Sequence, residues 1–391
     1  MRVERDIAGI ALFFTAGTAS GAIAGHCGLY SQDSGYTVAS AAITILAFLI
    51  AYCMSPDTGH AAYRKAAILL MFFSAGLLCH MGSSLHGEAP LSSTSAGYGY
   101  IMTAISRQAD AFKGFIDTLP YPDKEGPAMI KALITGDKSD ITKEVNDAFR
   151  DSGASHILAL SGMHLGVIYA IMLKAFAIFG NSVRARKARS ASIMLISTYY
   201  TLLTGAAASL VRALFFILLN EGAKMAGRQT RPMEVFFIAL TLQLAIAPEN
   251  IGSAGFQMSY LAMAGIYLLY PEMKRWFPGK DTDTGQDMTG MRSKGRRAPG
   301  NPMKRLWDAA ALTISCQLFT APAAWMHFGT FPEYFIITNL LCVPLSTFVM
   351  LTAAAVILLS YAGLCPDILI EANAASIRLM TDILTTISSL S

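Results

Sequence analysis

The chain has 391 residues, of which 53% are hydrophobic and only 14% charged, and its formal net charge is +4. A soluble domain usually carries about 25% charged residues, and 34 of the 56 charged side chains here fall in three stretches, 83–155, 180–190 and 271–305. Such sparse charge between repeated apolar blocks excludes a soluble enzyme and a disordered chain, and predicts an all-α polytopic membrane protein.

Repeated apolar segments are the first predicted elements, because a bilayer core of about 30 Å needs about 20 apolar residues in a helix. We predict about 10–11 transmembrane helices, some of them broken or re-entrant. The candidate spans are 7–29, 37–54, 66–82, 156–179, 190–205, 207–226, 233–248, 253–270, 307–326, 334–361 and 368–390. A split at Gly205 predicts a re-entrant hairpin or a broken helix, and Pro322 and Pro344 predict interruptions of two late spans.

These spans divide the chain into three regions and set its orientation. We predict an N-terminal three-helix membrane region (1–82), an extracytoplasmic linker and amphipathic helix segment (83–155) and a membrane domain (156–391). If every span crosses, most basic loops fall on one side and the net acidic segment 83–155 on the other. The positive-inside rule then predicts a cytoplasmic N-terminus.

The polar segment that follows the third span begins with a linker. Residues 83–99 are rich in Ser, Gly and Pro, and residues 279–303 later in the chain form a second polar loop. Between the linker and the next span, residues 100–119 carry apolar side chains at helical spacing with Arg107, Asp110 and Lys113 between them. This spacing predicts an amphipathic helix at the membrane interface or against the bundle.

The most unusual stretch is 132–172, ALITGDKSDITKEVNDAFRDSGASHILALSGMHLGVIYAIM. On one continuous helix, Ser161 and His164 lie about 140° and about 80° from His156, so all three fit one helical sector. Gly162 and Gly166 form a GxxxG pair that allows a close helix neighbour. The face either packs against neighbouring helices or lines a hydrated path.

Polar side chains recur at helical spacing in later spans. Ser253, Gln257 and Tyr260 form one stripe. A second stripe has Thr313, Gln317 and Thr320, with His327 on the same face. An arginine inside an apolar span, Arg212, is costly unless it faces the protein interior, water or a partner. It either pairs with an acid such as Asp308 or Glu221 or borders a path for an anion.

The sequence offers little for enzymatic chemistry. Ser161 precedes Gly162, but a histidine on the same helix is poorly placed as its base. An intramembrane serine hydrolase is therefore the weakest functional interpretation of this chain. The chain has no HxH, HExxH, CxxC or GxxxxGK[ST] pattern. We therefore predict no catalytic residues, no metal and no cofactor.

Four ordered blocks of the sequence resemble the ComEC competence family. The first is GDKSDI followed by AFRDSGASHILALSGMHLG; the others are LLTGAAASLVRALFFILL, IGSAGFQMSYLAMAGI and QLFTAPAAWMHFGTFPEYFIITNLLCVPLST. The resemblance covers residues 100–361, with 7–82 similar to the family's N-terminal three spans. Matching motif positions are Gly136, Asp137, Gly153, His156, Ser161, Gly162, His164, Gly166, Arg212, Gly255, Gln257, Ser259, His327, Phe328, Asn339 and Pro344.

The resemblance implies a multi-pass channel of the bacterial inner membrane that passes single-stranded DNA into the cytoplasm during natural transformation. The implied partners are the transported strand, the lipid bilayer, an extracytoplasmic DNA receptor, a separate nuclease and cytoplasmic DNA-processing proteins. A homodimer is a further expectation, because one bundle of this size is small for enclosing a strand. The alternative is a non-channel scaffold or divergent remnant whose polar stripes serve packing.

The sequence also departs from the family pattern. Fuller members carry an OB-type domain and a metallo-β-lactamase-like domain, and we expect both to be missing from a shortened member that holds only the membrane competence domain. Lys138 stands where arginine is usual and Met163 where leucine is usual, and Ala-Ser precedes the Arg212 block where Ser-Pro is expected.

Overall fold

A computed structural model describes residues 2–26, 34–53, 61–85, 96–180, 182–277, 302–329 and 333–390, and every regular element in these ranges is a helix. The first eight helices are α1 (Arg2–His26), α2 (Ser34–Cys53), α3 (Ala61–Leu85), α4 (Ala96–Asp117), α5 (Glu125–Thr135), α6 (Lys143–Asp151), α7 (Ser155–Leu158) and α8 (Gly162–Phe176). The next eight are α9 (Val183–Leu203), α10 (Ala208–Met225), α11 (Pro232–Ile246), α12 (Ala254–Leu268), α13 (Tyr270–Arg275), α14 (Pro302–Phe328), α15 (Phe335–Tyr361) and α16 (Asp367–Ser388). Most of the predicted linker 83–99 and of the predicted loop 279–303 lies outside the described residues.

Within the described ranges, four helical segments are long and apolar enough to cross a membrane: Glu4–His26, Ala62–Ser83, Pro302–Phe328 and Phe335–Tyr361. Three shorter apolar helices cover Ala39–Ala51, Gly162–Phe176 and Pro232–Ile246. The remaining predicted spans are helical as well, in α9, α10, α12 and α16. The predicted class, an all-α polytopic membrane protein, is confirmed.

Several helices begin at a residue that satisfies the free N–H groups of the first turn. The hydroxyls of Thr142, Ser182 and Ser253 accept hydrogen bonds from backbone N–H groups at the starts of α6, α9 and α12. Pro232 occupies the first turn of α11, where its missing N–H costs nothing. These local signals set the points at which the chain enters the bundle.

Helices α1 and α3 cross at two glycines. A Cβ atom added to Gly17 would lie 1.9 Å from the Phe73 carbonyl oxygen, and one added to Gly76 would lie 2.2 Å from that of Phe14. No side chain fits between the two backbones, so glycine at both positions permits this close crossing. The phenyl ring of Phe14 then packs with Phe236 of α11, which joins the N-terminal helices to the rest of the molecule.

Five helices form a closed circuit of contacts. Helix α8 packs on α10, α10 on α12, α12 on α14, α14 on α15, and α15 again on α8. We call this arrangement the five-helix ring. Of the helices that are not part of this circuit, α9 packs against α8 and α10, α11 packs against α10, and α1 packs on α11.

A second unit packs on α15 and α16. Its core joins side chains of α4, α5, α6 and α7, such as Ile116, Ile130 and Phe149, to those of α15 and α16, such as Val349 and Ile377. The Tyr121 hydroxyl donates a 2.7 Å hydrogen bond to the buried Asn373 amide of α16. The amphipathic helix predicted over 100–119 is confirmed as α4, and it lies against α9, where the Tyr199 hydroxyl contacts Gln108 at 2.5 Å.

The predicted break at Gly205 is confirmed, and the breaks predicted at two prolines are wrong. Helices α9 and α10 are joined by a short turn in which Gly205 and Ala206 both have positive φ, 79° and 52°. By contrast, α14 and α15 run through Pro322 and Pro344 without interruption. Proline removes one backbone hydrogen bond, and burial of neighbouring side chains, Cys342 and Val349 in α15, holds the helix on both sides of that gap.

Candidate functional site

The segment that carries the first motif is not one helix. Helix α7 ends at Leu158, Ala159 and Ser161 have extended backbone angles, and α8 begins at Gly162. The prediction that His156, Ser161 and His164 share one helical sector is therefore wrong, since the helical count stops between His156 and Ser161. The physical cause is the capping of α8 by Ser161, which ends one helix run and starts another.

Ser161 and His164 form a capping box at the start of α8. The Ser161 hydroxyl accepts from the Met163 N–H at 3.3 Å, and Nδ1 of His164 accepts from the Ser161 N–H at 3.1 Å. The Ser161 hydroxyl also lies 2.9 Å from Nδ1. Since Nδ1 accepts the backbone N–H, the ring proton of neutral His164 sits on Nε2. That buried nitrogen has no hydrogen-bond partner among the described residues.

The GDKSD turn lies beside this cap. Gly136 ends α5 with φ of 78°, and a Cβ atom there would meet the Leu160 side chain at 2.6 Å. Asp137 accepts from Lys113 of α4 at 2.9 Å and from the Ser139 N–H at 3.0 Å. These hydrogen bonds, with that from Lys113 the stronger, hold the pKa of Asp137 well below its usual range. The turn thus ties α4 and α5 to the segment before α8.

A buried lysine, which the sequence analysis did not single out, supports the same turn. Lys131 of α5 is 7% exposed and pairs with Asp117 at 2.6 Å and with Asp140. Burial acts to lower the pKa of Lys131, but the two carboxylates outweigh it and raise that pKa above its usual value. A lysine within an otherwise apolar helix pattern, next to an acidic turn, was the available signal.

Arg212 of α10 contacts α12, the next helix of the five-helix ring. Its guanidinium donates to the Ser259 carbonyl oxygen and lies 5.9 Å from the centre of the Tyr260 ring. A Cβ atom on Gly162 of α8 would come within 3.0 Å of Nη2, so the glycine leaves room for this arginine. Arg212 thereby joins α8, α10 and α12.

The acidic partners suggested for Arg212 are wrong. The Glu221 carboxylate accepts from Tyr169, Ser190 and Lys224 at 2.5–2.6 Å, and Asp308 lies 4.0 Å from Lys274. Within the described ranges, Arg212 forms no ion pair with a carboxylate. The ring therefore contains a half-buried cation whose charge is not neutralised by an acid.

Gln243 of α11 holds this arrangement from outside the ring. Its amide is 2% exposed, donates to the Ala208 carbonyl at 3.0 Å and accepts from the Tyr260 hydroxyl at 3.0 Å. It connects the start of α10 to the aromatic ring that faces Arg212. Gln243 was not among the residues predicted from the sequence, although a single glutamine in the apolar run PMEVFFIALTLQLAI was a usable signal.

A second polar contact in the ring joins α12 to α14. Gln257 donates to the Ile251 carbonyl at 2.8 Å and accepts from Nε2 of His327 at 3.0 Å. Phe328, 59% exposed, follows with its ring 6.2 Å from that of His327. The two polar stripes predicted separately from the sequence therefore meet at these side chains.

The remaining predicted positions are distributed around these contacts. Gly153, with φ of 81°, offers its carbonyl to His156 at 3.2 Å. Ser209 donates to the Gly255 carbonyl at 3.2 Å. For Gly166 no described atom lies within 4 Å of an added Cβ, so of the GxxxG pair only Gly162 has a close neighbour. Asn339 lies in α15 with its Oδ1 buried and without a partner among the described residues, and Pro344 of the same helix is exposed.

The amino-acid sequence was compared with those of known proteins, and it is similar to two curated proteins and to one family model. The chain is 27% identical over 255 residues to ComE operon protein 3 of Bacillus subtilis (strain 168), an alignment covering 63% of this chain and 28% of that protein. It is 25% identical over 249 residues to the uncharacterized protein YcaI of Escherichia coli (strain K12), covering 62% and 30%. The chain thus spans less than a third of the length of these curated relatives, and no solved structure matches it. The Competence protein family model matches residues 133–391, from the end of α5 through α16 and including the whole five-helix ring, and the chain belongs to this family.

Proposed function

We propose that this protein takes part in DNA uptake for competence and that the five-helix ring is a membrane channel core for single-stranded DNA. Membership of the Competence protein family supports the broader role. The proposal that the ring is a channel core is supported by one structural observation: every helix of the ring carries motif residues. They are Gly162 and His164 on α8, Arg212 on α10, Gln257 and Ser259 on α12, His327 and Phe328 on α14, and Asn339 and Pro344 on α15.

The chemistry of these side chains suits weak contact with a polyanion. Arg212 offers one positive charge that no described carboxylate cancels, and an arginine in an apolar helix marks a functional site by default. Gln257 and His327 are paired with each other by a hydrogen bond. Conduction requires sites that bind weakly enough to release, and a single cation among neutral polar groups meets that requirement better than a basic groove.

The proposed setting is the bacterial inner membrane with the N-terminus in the cytoplasm. Strand capture, strand degradation and driving force are then supplied by an extracytoplasmic DNA receptor, a separate nuclease and cytoplasmic DNA-processing proteins. Two copies of the chain would give a wider enclosure than one. Transport at this subunit is passive, and we assign it no enzymatic activity.

Two alternatives make different use of the same contacts. In a scaffold or family remnant, Arg212 and Gln257 serve only to hold α10, α12 and α14 together. In an intramembrane hydrolase, Ser161 would be a nucleophile with His164 as its base. The hydrogen bond from the Ser161 N–H to Nδ1 favours a capping role for this pair over a nucleophile–base pair.

Transformation frequency tests the proposal. In a competent strain, deletion of the gene should abolish transformation and the wild-type gene should restore it. Arg212→Ala should lower the frequency at least tenfold with unchanged protein in the membrane. Arg228→Ala is the matched control, because Arg228 is exposed beyond the end of α10 and is expected to leave the frequency unchanged. A deletion strain with no second copy that transforms normally would show that the proposed role in DNA uptake is wrong.

A further inference from the structure

The first two turns of α9 carry a dense group of basic side chains. Arg184, Arg186, Lys187 and Arg189 fall within six consecutive residues, and the first three are exposed while Arg189 is half-buried. The motif residues of the five-helix ring do not include them. They lie on the outside of the ring, at the end of α9 that follows the short Ala177–Phe179 turn.

This group has no internal counter-charge. No Asp or Glu occurs between Asp151 and Glu221 in the sequence, and in the part of the chain that the structure describes none of the four forms an ion pair. The position is also unfavourable for cations, since the N-terminus of a helix carries partial positive charge. Four cations gathered at the positive end of a helix without a carboxylate beside them favour the binding of an external anion.

The other exposed residues of α9 indicate the chemical class of the anion that binds here. At 100° per residue, Arg184, Lys187, Ala188, Ala191 and Leu195 fall within about 100° of one another around the helix, and all five are exposed, Leu195 to 72%. The opposite face is packed, with Ile193 and Ser197 fully buried. Along the helix axis, Arg184 therefore lies about 16 Å and Lys187 about 12 Å from the exposed apolar side chain of Leu195 on the same stripe. An apolar stripe that ends in cations matches an acyl chain that ends in an anionic headgroup.

We propose that this stripe of α9 binds an anionic phospholipid, with Arg184 and Lys187 on the headgroup phosphate. Arg186 and Arg189 lie about 160° and about 140° from Arg184 around the helix, off the stripe, and add only to the positive potential at this end of α9. Ala188, Ala191 and Leu195 contact the acyl chain. A basic group next to an apolar helix is the pattern by which proteins select anionic lipids. The site is separate from the five-helix ring and does not depend on the proposed DNA channel.

The test measures lipid affinity of the full-length protein, purified in a zwitterionic detergent, by native mass spectrometry. Phosphatidylglycerol should bind more tightly than phosphatidylcholine. Each basic residue near an anionic lipid surface contributes about fivefold in affinity, so Arg184→Gln with Lys187→Gln should weaken phosphatidylglycerol binding about 25-fold. Binding of phosphatidylcholine should not change.

The matched control removes the same charge elsewhere. Lys143→Gln with Arg150→Gln, on exposed positions of α6, should leave phosphatidylglycerol affinity within about twofold of wild type, because α6 is not part of the stripe. Equal weakening by both double variants would overturn the proposal, since net charge alone would then explain it. A single-stranded oligonucleotide or inorganic phosphate that displaces the lipid through Arg184 and Lys187 at lower concentration would also overturn it, assigning the face to nucleic acid or free phosphate.

Discussion

Ser161 shows at the scale of one residue how a motif serine can be structural. Its hydroxyl accepts from the Met163 N–H, and its own N–H is accepted by His164, so two free donors at the start of α8 are satisfied. Gly162, which follows Ser161 directly, lies beside the guanidinium of Arg212. The cap therefore sets the position at which α8 meets the cation of the ring.

Replacement of Ser161 tests this role. Ser161→Ala should destabilise the protein by about 1 kcal/mol, the usual cost of losing an N-cap hydroxyl, whereas Ser161→Thr should retain most of the stability. Thermal unfolding of the purified protein in detergent measures both. If the alanine variant unfolds at the wild-type temperature, the hydroxyl does not stabilise α8 and the capping interpretation fails.

Asp137 predicts a dependence of stability on pH. Its pKa is lower in the folded protein than the ordinary value of 3.8, first because of the hydrogen bond from Lys113. A lowered folded pKa contributes stability that is present above the unfolded pKa and lost as pH falls through the folded one. Between about pH 5 and pH 3, unfolding measurements should therefore show a loss of stability in wild type that is smaller in Asp137→Asn. Lys113→Gln should reduce the same dependence; if neither variant does, the pair contributes nothing.

At the scale of elements, the contact between α12 and α14 depends on one glycine. A Cβ atom on Gly265 would lie 2.2 Å from the Ser315 carbonyl oxygen, a backbone atom that cannot rotate away. These two helices also hold Gln257 and His327 against each other. A change that separates the helices would therefore alter both stability and the polar contact.

Gly265→Ala should lower stability by about 1–3 kcal/mol, as overpacking of a close helix contact does. Gly222→Ala in α10 is the matched control: no described atom lies within 4 Å of its added Cβ, and alanine in place of helical glycine should raise stability by roughly 0.5–1 kcal/mol. Thermal unfolding in detergent distinguishes the two. Equal effects of both changes would show that α12 and α14 do not approach as closely as described.

The helices themselves could be predicted from the sequence wherever a local signal was strong. Glycine at 205 marked the turn between α9 and α10, and apolar periodicity with interspersed charge marked α4. The break before α8 was missed because Ser161 and His164 form a capping box in which histidine takes the place of the usual glutamate or glutamine. The helix breaks predicted at Pro322 and Pro344 do not occur, because tertiary packing outweighs the loss of one backbone hydrogen bond in a helix of 27 residues.

At the scale of the whole molecule, the sequence identified the polar side chains but not their neighbours. Arg212 was singled out from the sequence, and its contacts are a carbonyl and an aromatic ring of α12, whereas one of the two predicted alternatives was an ion pair with a carboxylate. Gln257 and His327 lay in separate stripes 70 residues apart, and only the packing of α12 on α14 brings them together. Which helices adjoin is a tertiary property that one sequence without homologues does not encode in its local pattern.

The five-helix ring makes opposite predictions for a channel and a scaffold. In a variant whose six native cysteines are replaced, Arg212→Cys and Gln257→Cys should react with a membrane-impermeant thiol reagent if water enters the ring. Leu210→Cys is the control, because Leu210 lies on the same helix as Arg212 and is 0% exposed. Mass shift of the labelled protein in intact cells reads out the reaction.

A channel further requires that the transported strand and the reagent compete for the same space. Labelling at 212 and 257 should therefore fall when competent cells are given DNA, and labelling of a cysteine on the outer face of α9, Leu195→Cys, should not respond to DNA. If 212 and 257 are as unreactive as 210, the ring is sealed and its polar contacts serve packing, since a cation can be stabilised by a carbonyl and a ring face without water. If they react but DNA has no effect, the ring is hydrated and does not carry the strand, because a polyanion passing Arg212 must exclude the reagent from it.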